Sequence, residues 1–142
     1  MSPLERRAVL ALWGLCPTYL VYFALQIAAP GWFTGLIPRL SGLAAVTLTS
    51  AAINIVGLLA FGLRERGQGP FADERDRAID TRATRSAYFV LLTGVVVVGM
   101  VMPFSHGGWA IVNAALLAIV LAELVRNVLI VLGYRGAPAF AR

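Results

Sequence analysis

Three aspartates stand at positions 73, 76 and 80. At about 100° per residue on a helix they fall within an arc of about 60°. Like charges four residues apart destabilise an isolated helix, so this arc is either a solvated face beside arginines that snorkel to headgroups or the seat of a cation. The cation can be an arginine of another helix, an arginine of another subunit, or a divalent metal. Three oxygens from one helix leave a hard ion short of the roughly six to eight ligands calcium takes, so a dedicated metal site is not expected. Arg77 borders the arc and is placed to pair with Asp73 at i, i+4. Arg75, Arg82 and Arg85 share an arc of about 80° on the far side of the same helix. Asp73, Glu74, Asp76, Arg77 and Asp80 are the candidate surface for a partner or a cation.

A second set lies in an apolar run near the C-terminus. Glu123 is followed at i+3 by Arg126, and Asn113, Leu116, Val120, Glu123 and Asn127 share one face. Ionisable groups inside a bilayer are costly and need a partner. The nearest partners are each other, so an internal Glu123–Arg126 ion pair that sets helix register is expected. Proton- or cation-coupled transport through Glu123 is the sharper alternative. Ala114, Ala118 and Ala122 form a separate ridge of small residues that leads to Arg126, a pattern that lets two helices approach closely in lipid.

Other chemistry is thin. The chain has one cysteine, Cys16, and one histidine, His106. One thiol cannot run disulfide exchange. One Cys and one His leave a zinc site about two ligands short. Cys16 precedes a proline with no base in view and reads as packing. His106 sits among glycines and reads as a solvated loop residue. No nucleophile–base pair and no longer, glycine-spaced aspartate signature is present. No catalytic residue, metal or cofactor is therefore expected, and the chain is not expected to be an enzyme.

The elements that hold these residues are apolar. Hydrophobic residues make up 59% of the 142, charged residues only 13%, and mean hydropathy is +0.80. A soluble domain averages about 25% charged residues, so the bilayer is the natural solvent. Four spans are expected, at about 8–29, 43–63, 86–104 and 109–134, in one all-α transmembrane domain covering 1–142. The first is longer than the roughly 7–15 residues of a signal-peptide core and lacks a good cleavage site, so it is expected to be retained. Pro17 should kink it. Tyr19, Tyr22 and Gln26 follow at helical spacing and read as packing. Residues 30–42 read as a connector with Trp32 and Phe33 at the interface. The small, mildly polar face of the second span (Ala44, Ala45, Thr47, Thr49, Ser50, Ala51, Ala52, Asn54) is expected to pack on protein. Residues 64–85 read as a charged connector. Pro70 suits a first helical position, with Asp73 and Glu74 in the first turn, so an amphipathic charged helix should start there and run into the third span. Gly94 and Gly99 lie in that span. Ser105 to Gly108 make a tight hairpin, and 135–142 a loose tail.

Every lysine-or-arginine position is arginine. Arg6 and Arg7, six arginines between Arg64 and Arg85, and Arg135 and Arg142 fall on one side of the four spans; Arg39 alone falls on the other. The positive-inside rule then places both termini and the charged connector in the cytoplasm of a cell with this inner membrane. The same rule accounts for the net charge of +5 without nucleic acid. Lipid headgroups are expected contacts, with arginines snorkelling to them.

The run Asp73-Glu74-Arg75-Asp76-x-x-Ile79-Asp80, followed by Ala83, Arg85, Ala87 and Tyr88, resembles a motif of small four-helix membrane proteins of bacteria and archaea grouped as a domain of unknown function. The likeness covers about sixteen residues and otherwise the layout of two spans, a charged loop and two spans. It implies that the Asp-Glu-Arg segment is a functional or assembly element, and assigns no activity. The expected function is a non-enzymatic membrane module, an accessory, regulatory or scaffolding subunit acting through the charged helix, as a homo-oligomer or part of a larger complex. The alternative is a small dimeric proton- or cation-coupled transporter using Glu123, two copies being needed because four short helices enclose little volume.

Overall fold

The computed structural model describes residues 3–64 and 74–135. These residues are 95% helical with no strand, so the class is all-α. Four long helices follow in order: α1 (Pro3–Ala28), α2 (Leu36–Arg64), α3 (Glu74–Val96) and α4 (Gly108–Arg135). All four are long and apolar enough to cross a membrane. At about 1.5 Å per residue, α1 alone spans about 39 Å, against a hydrocarbon core of about 30 Å. Trp13, Ile27, Leu36 and Phe104 are among many large apolar side chains left exposed. Water would not tolerate that much apolar surface; lipid tails do.

Two helices begin earlier than expected. α1 starts at Pro3 with Glu5 in its first turn. Pro suits a first helical position and an acidic group favours the positive helix end. α2 starts at Leu36, well before Leu43, so much of the expected connector is helical. A 3₁₀ turn over Pro30–Phe33 leads to Gly35, whose φ of 97° reverses the chain. Pro38 then falls in the first turn, where its missing N–H costs nothing. Arg39 donates from Nε to the Phe33 carbonyl at 2.8 Å, which ties down the one charge in this segment.

The described residues form two compact units. One holds α1 up to Ala8 with α3 and α4; the other holds the rest of α1 with α2.

In the α1–α2 unit, side chains of one helix enter glycines of the other. Gly14 lies against Ile53 and Asn54, and Gly57 against Leu10. Val46, Ser50 and Gly57 are buried and Asn54 partly so. They mark one stripe of α2 within about 80° of arc. Within the chain, Ala44, Ala45, Thr47, Thr49, Ala51 and Ala52 are exposed. Their phase on the helix puts them off the stripe that meets α1. α1 continues through Pro17, leaving the Trp13 carbonyl without its usual donor. Thr18 donates its hydroxyl to the Gly14 carbonyl at 2.6 Å. Gln26 donates to the Tyr22 hydroxyl at 2.9 Å, and the Tyr22 ring meets Phe33 edge-on.

In the other unit, α3 packs along α4. Ala83 and Ala87 are buried on α3, and Ala118, Ala122 and Ile130 on α4. Gly94 sits so close to α4 that a Cβ there would lie 2.5 Å from that of Ala118. Gly133 similarly admits Ile79. Ala8, Ala83 and Ile130, each at most 2% exposed, form a small core with Leu4, Ile79, Leu129, Val131 and Tyr134 around it. α3 continues as a π-helical turn (Val97–Val101) and a 3₁₀ turn (Met102–Phe104) that contains Pro103. The amides of Ser105 and His106 both donate to the Met102 carbonyl, closing the hairpin before α4.

Candidate functional site

The expected charged helix begins, among the described residues, at Glu74 and runs without a break into the apolar span. Asp73 and Pro70 lie outside the described residues, as do the other residues of 65–73 and the tail at 136–142. Taking Ala83 as the reference, Asp76, Asp80, Ala87 and Gly94 all lie within about 60° of it. The acidic arc therefore shares the face that packs on α4.

α4 supplies its partners. Arg126 donates from Nη2 to Asp80 Oδ1 at 2.9 Å and from Nε to Thr84 Oγ1 at 3.3 Å. Tyr134 donates its hydroxyl to Asp76 Oδ1. Of the cations the aspartate arc could take, the arginine of another helix is the one in place. The Arg126 and Asp80 side chains are 36% and 40% exposed, so the pair is partly screened. Its geometric consequence is clear: two carboxylates and a guanidinium join α3 to α4 across two turns of each helix.

The local Glu123–Arg126 pair does not form. Arg126 continues the ridge of Ala118 and Ala122, which faces α3, whereas Glu123 lies about 100° from Ala122 around the helix. The Glu123 carboxylate is exposed and has no ion-pair or hydrogen-bond partner among the described residues. Asn113 donates to the Trp109 carbonyl at 3.1 Å, and Asn127, only 5% exposed, to the Glu123 carbonyl at 2.8 Å. Asn127 thereby bonds within its own helix.

Glu74 and Arg77 are exposed, as are Arg75, Arg82 and Arg85. The charged helix thus has two sides: Asp76 and Asp80 turned to α4, and an outer face rich in arginine that also carries Glu74. Among the described residues no three His, Cys, Asp or Glu side chains gather in a way that would hold a metal ion. His106 stays exposed, with Nδ1 2.7 Å from the Ser105 hydroxyl. Cys16 is a free thiol, partly buried on α1.

Three residues of this region were not singled out from the sequence. Tyr134 and Thr84 bond the charged residues from positions whose phase gives no signal without the neighbouring helix. Glu5 is buried, at 8% exposure. A signal for its helical start was present: Ser2-Pro3-Leu4-Glu5 has capping-box spacing with a proline at the first position.

Comparison of the chain with models of known protein families, with characterised proteins and with solved structures gives no match.

Proposed function

We propose that the chain is a non-enzymatic integral membrane module, an accessory or scaffolding subunit that engages its partner through the exposed charge of α3. The observation that supports this most is the coupling of the charged segment to the span. α3 is one continuous helix, and the Asp80–Arg126 and Asp76–Tyr134 bonds fasten it to α4. A contact made at Glu74 or Arg77 is therefore held rigidly against the transmembrane pair. Asp76 and Asp80 act inside the module, and Glu74 and Arg77 offer both signs of charge outward. By the arginine count, the charged end and both termini lie in the cytoplasm and the membrane is the inner, cytoplasmic one.

Native mass spectrometry of the chain extracted in mild detergent from its own membrane tests this. A stoichiometric second protein, lost in Glu74→Lys/Arg77→Glu, is the expected result. A complex indifferent to that double charge reversal, or no second protein at all, would sink the reading.

One observation favours a second reading. Glu123 is exposed in an apolar helix with no side-chain partner among the described residues, a costly state in lipid unless a second copy or a passing cation meets it. A dimeric proton- or cation-coupled carrier would use it so. Proton flux in liposomes that is unchanged by Glu123→Gln removes this reading.

A further inference from the structure

Two polar groups on the α3–α4 pair lie exposed without a partner. The Glu123 carboxylate on α4 has none among the described residues. Tyr88 on α3 is 58% exposed; its ring meets Phe89 edge-on, and its hydroxyl has no hydrogen-bond partner among the described residues. In lipid both states are costly, because no water is there to bond them.

The two groups share a side of the helix pair, and the Arg126–Thr84 bond marks that side. On α3, Thr84, Val95 and Tyr88 fall within an arc of about 40°. On α4, Arg126, Ile119, Val112 and Glu123 fall within an arc of about 60°. Each arc starts at the bond and turns outward, and all of these side chains but Arg126 are exposed.

They also share a depth. α3 and α4 run antiparallel, with Gly94 against Ala118 and Ile79 against Gly133, so the two helices keep register over fifteen residues of each. Glu123, five residues past Ala118, is therefore level with Phe89, five before Gly94. That is one residue, about 1.5 Å, from Tyr88. Thr84 fits less well: its hydroxyl already takes the Arg126 Nε–H, and it lies about 7 Å nearer the charged end.

From this juxtaposition we infer that the face is where two copies of the chain associate, the Tyr88 hydroxyl of each donating to the Glu123 carboxylate of the other. Copies of one chain insert in a membrane in one orientation, so a two-fold axis between them stands along the membrane normal and preserves depth. A face with its own donor and its own acceptor at one depth is then self-complementary, as such an axis requires. A phenol donating to a carboxylate is a strong, charge-assisted bond. Val95, Val112 and Ile119 supply apolar contact beside the two bonds.

Donor- and acceptor-labelled copies of the full chain, mixed in liposomes and diluted in lipid, test the contact by energy transfer. A dimer is expected. Tyr88→Phe should raise its dissociation constant about tenfold, because two equivalent bonds are lost at once. In a Glu123→Leu background, where no carboxylate accepts the bond, Tyr88→Phe should change it less than about twofold. Disulfide trapping in a Cys16→Ser background locates the face. Mixed Val95→Cys and Ile119→Cys copies, about 3 Å apart in depth, should cross-link. Mixed Phe89→Cys and Leu121→Cys copies, on the opposite side of the pair, should not. Tyr88, Glu123, Val95 and Ile119 are exposed, so these substitutions leave the helix pair intact. A monomer at every dilution, an equal effect of Tyr88→Phe in both backgrounds, or anything but cross-linking by the first pair alone would overturn the contact. The purified chain carries no other protein, so the outcome is independent of whether a partner subunit exists.

Discussion

The two helix pairs hold together differently. Where α1 meets α2, Leu10 and Ile53 enter Gly57 and Gly14, while Thr18, Thr47 and Asn54 each bond a carbonyl four residues back on their own helix. Where α3 meets α4, glycines again admit side chains, at Gly94 and Gly133, but polar groups also reach across. In lipid, apolar contact between helices has little advantage over contact with acyl chains. Close packing and interhelix hydrogen bonds must supply the association. Both pairs use the first device, and at the charged end of α3–α4 the second is in place as well. That pair is therefore graded: bonded around Asp76 and Asp80, and closely packed at Gly94.

The comparison breaks most easily at the glycines. Gly94→Leu should cost about 3 kcal/mol, because the new side chain meets the Cβ and Cα of Ala118, which cannot rotate away. Gly57→Ala should cost under about 1 kcal/mol, because its obstacle is the flexible end of Leu10. Equilibrium unfolding in mixed micelles followed by circular dichroism measures both; equal losses would mean that the two seams are packed alike. The polar bonds come next. Asp80→Asn and Arg126→Gln should each cost about 1–2 kcal/mol, less than a fully buried pair because solvent screens this one. A double-mutant cycle should return a coupling of about 1 kcal/mol, and a coupling near zero would leave the α3–α4 pair no different in kind from α1–α2. Tyr134→Phe, which leaves Asp76 without its donor, should cost about 1 kcal/mol.

Hydropathy made the four helices legible, because a run of some twenty apolar residues admits few other readings. Their starts were less so. Pro3 and Pro38 look like breakers, and only their place in a first turn makes them harmless. The acidic arc was visible as a phase on α3, and the alanine ridge leading to Arg126 as a phase on α4. What periodicity cannot show is which face of one helix turns toward which face of another. Arg126 therefore looked like the partner of its neighbour Glu123, when the ridge it continues carries it to Asp80. The same blindness hid Tyr134 and Thr84, whose phase on their own helices gives no sign of the helix they meet.

The smallest expected effect discriminates most sharply between the local and the interhelix pairing of Arg126. If Arg126 answered to Glu123, then Glu123→Gln would cost about as much as Asp80→Asn. With Arg126 on Asp80 and the Glu123 carboxylate unpartnered, Glu123→Gln should change protomer stability by less than about 0.5 kcal/mol, as exposed substitutions do. Any larger effect should appear as concentration dependence, because a second copy is what would meet this carboxylate in lipid. Unfolding at two protein concentrations separates the cases. A loss near 1–2 kcal/mol that is independent of concentration would restore the local pair, whereas a shift that grows with concentration would place Glu123 at a contact between copies.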